Sequence, residues 1–352
     1  MTNVPVFDGH NDFLLRLQKQ PGNRDTIWLK GDGTGQLDLP RMQAGGFAGG
    51  FFAVWCPSPE HEGDSHYDDD WKNPPYDVPL PEALSLEYAL PIAVAEIGHL
   101  MWMERTGTLS ICRSVADIRQ AMAEGRIAAI LHMEGAEAIG TDLDALHVWH
   151  AAGLRSLGPV WSRPTAFGHG VPFRFPSSPD TGDGLTAAGK DLIRECNALK
   201  IMVDLSHLNE KGFNDVAAIS DAPLVATHSN AHAVSPTARN LTDRQLRMIA
   251  ESNGMVGLNY ACSFLRPDGR QDTDTGFDVM LRHLDHLISI LGEDRVGLGS
   301  DFDGAEIPAP LGDVAGLPRL IEALRAHGYG EALVEKLGYR NWLALLERTW
   351  GC

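Results

Sequence analysis

IMVDLSHLNEKGFNDVAAISDAPLVATHS, residues 201–229, carries the reading that decides the fold. Its opening run, 201–206, is short, apolar and β-branched at its centre, which suits a buried strand. Residues 209–219 then space their apolar side chains for one face of a helix, and a second strand-like run follows at 224–228. Strand, crossover helix and strand make the unit of a parallel sheet. Both strands of this unit close on a histidine, His207 after the first and His228 at the end of the second.

The same alternation extends in both directions. Further strand candidates fall at 4–8, 50–55, 127–133, 154–160, 255–260 and 295–301, each of a length usual for strands. Amphipathic stretches at 114–125, 142–152, 186–200, 242–252 and 277–291 separate most of them, and Thr242 with Gln245 three residues later reads as a capping box. Eight strands with crossover helices predict an α/β fold of the single (β/α)8 TIM type, with residues 316–350 adding two or three C-terminal helices that complete the outer ring and pack beneath it. No repeat, heptad or linker interrupts the pattern, so residues 1–352 read as one barrel domain. Long connections rich in Gly, Pro or Asp at 57–81, 162–184 and 261–276 all follow strands, which predicts that they crowd the C-terminal face where barrels place their sites.

Composition narrows the function. Apolar residues make up 43% and charged residues 22%, enough for a large core. A formal charge of −18 repels nucleic acid and anionic membrane, so neither is expected as a partner. The opening MTNVPVFDGHND lacks the basic start and apolar stretch of a signal peptide, and no run is long enough to span a bilayer, which predicts a cytoplasmic protein. The five cysteines are scattered and never form CxxC, which argues against a disulfide framework or a thiolate zinc site.

The chemistry gathers at strand ends. In Phe7-Asp-Gly-His-Asn-Asp12, His10 and Asp12 point the same way because extended chain alternates its side chains, although a lone HxD also suits a capped turn with a surface histidine. The third strand ends His132-Met-Glu134-Gly135. It places a carboxylate able to bridge two metals at the same rim, while leaving open that Glu134 only caps the next segment or that His132 is the ligand. Adding His207 and His228 gives neutral imidazoles with carboxylates, a set that suits zinc. Asp301 and Asp303 share one face after strand eight. Asp301 is the candidate general base and Asp303 the residue of an Asx turn.

These residues resemble the renal, or membrane, dipeptidase family, and the likeness runs across almost the whole chain. The family's opening DGHND stands here as residues 8–12, its glutamate segment as Glu134-Gly135, its histidine segments as Leu205-Ser-His207 and Thr227-His-Ser229, and its strand-eight motif as Asp301-Phe-Asp-Gly304. The resemblance implies two Zn2+ ions per chain, one on His10 and Asp12, one on His207 and His228, with Glu134 bridging and Asp301 transferring protons. It implies that Arg239, before Asn240, grips the C-terminal carboxylate of a small dipeptide. One departure stands out. Where relatives place a histidine after strand four, this chain has Trp161, and His169 in the following loop is a candidate substitute; Trp161, His169 and Tyr260 are taken as candidate substrate contacts.

The expected reaction is attack on the peptide carbonyl by a hydroxide held between the two ions, whose charge Asp12, Glu134 and Asp301 largely offset. A neighbouring reading is hydrolysis of another amide or ester, such as an N-acyl amino acid, on the same metals. A reading of another class is a silent barrel that only binds peptide. A second copy of the chain, forming a homodimer, is the one protein partner considered.

Overall fold

β-branched and aromatic side chains at the predicted strand positions find parallel partners in chain order. In the computed structural model, which describes residues 4–59 and 71–351, the barrel strands are Val6–Asn11, Phe47–Trp55, Ile127–Glu134, Leu154–Gly158, Met202–Val203, Val225–Ala226, Met255–Leu258 and Val296–Leu298. Each pairs with its neighbour, Asp8 stands opposite Leu298 where the last strand meets the first, and a parallel bridge between Asp204 and Val225 joins strands five and six. The ring is therefore closed, as a TIM-type barrel. Strands five and six are only two residues long because Asp204 and Thr227 turn to hydrogen-bond each other across the rim.

Helices pack outside the strands at the places where the apolar spacing predicts them. Ala187–Leu199, Glu210–Ile219, Asp243–Glu251 and Phe277–Leu291 bury one face each, and the Thr242–Gln245 capping box forms with both of its bonds. Helix Leu86–Arg105, after strand two, has no counterpart in the periodicity: Pro91 lies within it, and its buried set includes Glu96 and His99. A short strand, Leu109–Ile111, adds to strand three outside the ring.

The C-terminal segment, which includes helices Leu317–Ala326 and Asn341–Trp350, covers the outer wall and the floor. Trp342 enters between strands one, seven and eight and donates its Nε1–H to the Leu298 carbonyl at 2.9 Å. A Cβ on Gly257 or Gly297 would meet the Trp342 ring at 2.9 or 2.7 Å, so glycine at those points lets the indole in. With the floor packed, only the C-terminal face can open to a substrate.

Two of the long connections join above that face. Tyr76–Val78 and Phe173–Phe175 pair antiparallel, and Gln271 of the third connection donates its backbone N–H to the Trp71 carbonyl at 3.0 Å. Residues 60–70 of the 57–81 connection lie outside the described residues. No helix among the described residues is long and apolar enough to cross a membrane.

Candidate metal centre

Strand one supplies His10 and, just past its end, Asp12; strand three supplies Glu134; the turns after strands five and six supply His207 and His228. The tertiary fold brings all five together. Glu134 Oε1 lies 3.0 Å from His207 Nε2, 3.2 Å from His228 Nε2 and 3.7 Å from His10 Nε2, while His10 Nε2 is 3.4 Å from Asp12 Oδ2. The His10 and His228 rings stack at 3.8 Å. Glu134 is common to two ligand groups, one with His10 and Asp12 and one with His207 and His228, and Asp301 forms a further group with His10 and His228.

Hydrogen bonds behind the ligands set which nitrogen faces the cluster. Thr227 donates its hydroxyl hydrogen to Asp204 Oδ2 at 2.5 Å, so Thr227 Oγ1 accepts from His228 Nδ1–H at 2.8 Å. The Nε2 of His228 is then an unprotonated lone pair aimed inward. Ser162 Oγ lies 2.9 Å from His207 Nδ1 and can fix that ring in the same way. Ser162 carries no local signal, since it is 45 residues from His207, whereas Thr227 stands next to His228. The one cue lies in the strand ends themselves, where Ser and Thr recur beside the histidines.

The residues fit a divalent cation. His207 and His228 bring their Nε2 atoms within 3.2 Å of each other, a contact that two lone pairs resist and a cation relieves. His10 Nε2 and Glu134 Oε1 are buried without a hydrogen-bond partner. Electrostatics agree. Burial works to lower the His10 pKa, yet Glu134 and Asp12 outweigh it and push it up to about 10, so the cluster strongly favours positive charge. Burial, reinforced by cationic His10 and Arg239, holds His207 and His228 well below the usual histidine range, leaving them as neutral ligands.

Asp301 and Asp303 both adopt left-handed backbone, at φ 62° and 64°. Asn259 Nδ2 donates to Asp301 Oδ2 at 2.8 Å, and burial followed by the nearby Asp12 charge raises the Asp301 pKa. Asp303 instead faces away into loop one. Its Oδ1 accepts from Gln36 N–H and its own N–H donates to Gln36 Oε1 at 2.8 Å, so it closes the turn that presents Asp301. A Cβ on Gly304 would lie 2.1 Å from Asp12 Oδ2 and 2.8 Å from Asp301 Oδ1, which is why that position carries no side chain. At the back of the turn, Asp8 accepts from both N–H and hydroxyl of Ser300, and burial nonetheless lifts its pKa to about 7.

Arg239 is buried beside the cluster. It donates NH1 to Ser229 Oγ and NH2 to the His228 carbonyl, both at 2.9 Å, and its Nε–H has no partner. Burial lowers its pKa to about 10 against the pull of Asp301 and Glu134, so it stays cationic. Trp161 is partly exposed, with its ring centroid 6.0 Å from that of His207. His169 belongs to none of the ligand groups and stands in its loop beside Gly182. Tyr260 is wholly buried, its ring edge-on to Phe302 at 5.7 Å. His132, the alternative ligand, bonds Ser156 Oγ at 2.8 Å through Nδ1, and burial drops its pKa to about 4.

A buried set of histidines and carboxylates on strand ends at the open face of a TIM-type barrel defines a metal-dependent hydrolase. The chain belongs to the membrane dipeptidase family (peptidase family M19), whose pattern it matches over residues 1–349. A crystal structure of a metallo peptidase from Rhodobacter sphaeroides, liganded with a phosphinate mimic of the dipeptide L-Ala-D-Ala, is 66% identical with a TM-score of 0.98, covering 99% of this chain and all of that one. The crystal structure of a dipeptidase AC, a metallo peptidase of family M19, is 65% identical with a TM-score of 0.97 over the full length of both chains. An uncharacterized protein in the pqqA 5'region of Klebsiella pneumoniae is 54% identical over 244 residues, which is 69% of this chain and 90% of that protein.

Proposed function

We propose that this chain is a zinc-dependent dipeptidase that works as one barrel domain over residues 1–352 and holds two Zn2+ ions, His10 and Asp12 on one, His207 and His228 on the other, Glu134 on both. The observation that carries the reading is the position of Glu134 Oε1, within 3.7 Å of all three histidine Nε2 atoms. The likeness at 66% identity to a metallo peptidase liganded with a dipeptide mimic supports the substrate class. When bound, such ions polarise a carbonyl oxygen and make hydroxide available near neutral pH.

The protein's own groups do the rest. Arg239 receives the free carboxylate of the dipeptide, with its unpartnered Nε–H as one donor, and fixes the scissile bond over the carboxylate cluster. Asp301, held by Asn259, accepts the proton of the attacking water as its oxygen adds to the carbonyl carbon. When the C–N bond breaks, Asp301 returns that proton to the leaving amine. Ser162 and Thr227 keep the two histidines in one tautomer throughout. The formal charge of −18 repels nucleic acid and anionic membrane and fits a cytoplasmic enzyme acting on small peptides.

The test is metal analysis of the purified protein, followed by assays with dipeptides and with N-acyl amino acids before and after chelation. About two zinc ions per chain, cleavage of dipeptides, and loss of activity on chelation with recovery on adding zinc are expected. Cleavage of N-acyl amino acids alone would move the substrate assignment, and activity untouched by chelation would end the metal mechanism.

A further inference from the structure

Arg163 is a fully buried cation two residues after Trp161, and the reaction described above gives it no task. Its NH1 donates to Glu137 Oε1 at 2.8 Å and to the Cys56 carbonyl at 3.0 Å, and its NH2 donates to Ser58 Oγ at 2.9 Å. One guanidinium thus ties together the chain segments that leave strands two, three and four. The same plane lies over two indole rings, 5.1 Å from the Trp161 centroid and 5.9 Å from that of Trp55. A buried ion pair is costly to desolvate and is a poor device for stability alone, whereas it fixes geometry well.

What it fixes is an aromatic wall. Trp55 meets Trp161 edge to face at 5.0 Å, Trp161 meets Phe173 at 5.5 Å, and both Trp161 and Phe173 reach the ring of His207. Trp55 and Trp161 each keep part of their surface exposed. Arg239 bonds Ser229 and the His228 carbonyl just past strand six and lies 5.6 Å from the centroid of Phe264, which stacks on Phe173 at 6.0 Å, so the aromatic wall runs from Arg239 to Trp55 at the end of strand two. A dipeptide whose carboxylate is on Arg239 and whose scissile bond is over Glu134 therefore sends its N-terminal residue toward the indoles.

We propose that Trp161 and Trp55, held in place by the Glu137–Arg163 pair, form the pocket for the substrate's N-terminal side chain and select dipeptides with an apolar residue there. Trp161 is the specificity-determining residue, and Arg163 is a positioning residue that acts through it. The inference rests on the dipeptidase reading and on Arg239 as the carboxylate site.

The experiment measures kcat and KM of the metal-loaded protein for Leu-Ala, Phe-Ala, Gly-Ala and Glu-Ala. Wild type should favour Leu-Ala over Glu-Ala by roughly tenfold or more in kcat/KM, the scale on which apolar pockets discriminate. In Trp161→Ala the ratio of kcat/KM for Leu-Ala to that for Gly-Ala should fall by roughly fivefold or more, chiefly through KM, and Trp161→Phe should restore most of it. Arg163→Lys keeps a cation beside Glu137 but loses the planar fork, so the same ratio should fall with metal content intact. Ser58→Ala, which removes one bond to Arg163, asks the same question of a more conservative variant should Arg163→Lys not fold. A ratio in Trp161→Ala within about twofold of wild type, or a wild-type preference for Glu-Ala, overturns the pocket. An unchanged ratio in both Arg163→Lys and Ser58→Ala overturns the positioning role. A wild-type protein that cleaves none of the four overturns the dipeptidase reading, and the pocket falls with it.

Discussion

Oε1 of Glu134 stands 3.0 Å from Nε2 of His207, although strand four separates the strands that carry them. A carboxylate oxygen this close to a neutral imidazole nitrogen is an acceptor facing an acceptor, and His228 Nε2 at 3.2 Å repeats the arrangement. Glu134→Gln keeps the shape but removes the negative charge and leaves one neutral carbonyl oxygen to meet a cation. It should lose bound metal together with activity, while folding survives because the strand is packed on both faces. Elemental analysis beside a thermal melt reads both. Full metal content in the variant would remove Glu134 from the ligand set.

Asp301 should behave otherwise. Its Oδ2 already accepts from Asn259, and the remaining oxygen is the one available for protons. Asp301→Asn should therefore retain its metals while kcat drops by roughly 10^2 to 10^4, the usual cost of losing a general acid or base. Loss of metal as complete as in Glu134→Gln makes Asp301 a ligand instead.

Arg239 offers a check on substrate polarity. Arg239→Lys cannot keep both bonds to Ser229 and the His228 carbonyl and still present a donor to a carboxylate. A fall in kcat/KM of roughly tenfold or more is expected for free dipeptides. Amidated dipeptides should lose a similar factor on wild type and little more on the variant. Equal cleavage of free and amidated substrates by wild type would contradict this.

Gly304→Ala tests the space between two carboxylates. Its Cβ would lie 2.1 Å from Asp12 Oδ2 and 2.8 Å from Asp301 Oδ1, so one of the two must move. Metal affinity and kcat should both fall, with the melting temperature shifted by only a few degrees, since the clash sits at the rim and not in the core. Isothermal titration of the apo protein with zinc measures the first effect directly. Wild-type affinity would mean that the turn relaxes freely.

Much of this was legible along the chain. Eight strand runs alternate with amphipathic stretches, and that pattern alone places His10, Glu134, His207, His228 and Asp301 at strand ends, because a parallel barrel puts every C-terminal end on one face. The Thr242–Gln245 cap and helix Phe277–Leu291 were likewise written locally, in side chains within a few turns of each other. Helix Leu86–Arg105 was not, since Pro91 and buried Glu96 and His99 blur the periodic signal.

The tertiary structure decided everything that depends on residues far apart. Ser162 behind His207, Asp204 behind Thr227, and Ser300 on Asp8 are hydrogen bonds between neighbours in space, the last spanning 292 positions of sequence. It turned Asp303 to Gln36 and Asp301 to the cluster, though the two aspartates share one motif. It buried Tyr260 against Phe302, and it set Trp161 on the Arg163 guanidinium that pairs with Glu137. Local sequence fixes which side chains reach a rim, because strand and helix periods are properties of a few bonded residues. Which of them then meet, and in what protonation state, is set by burial and by charges brought in from other strands.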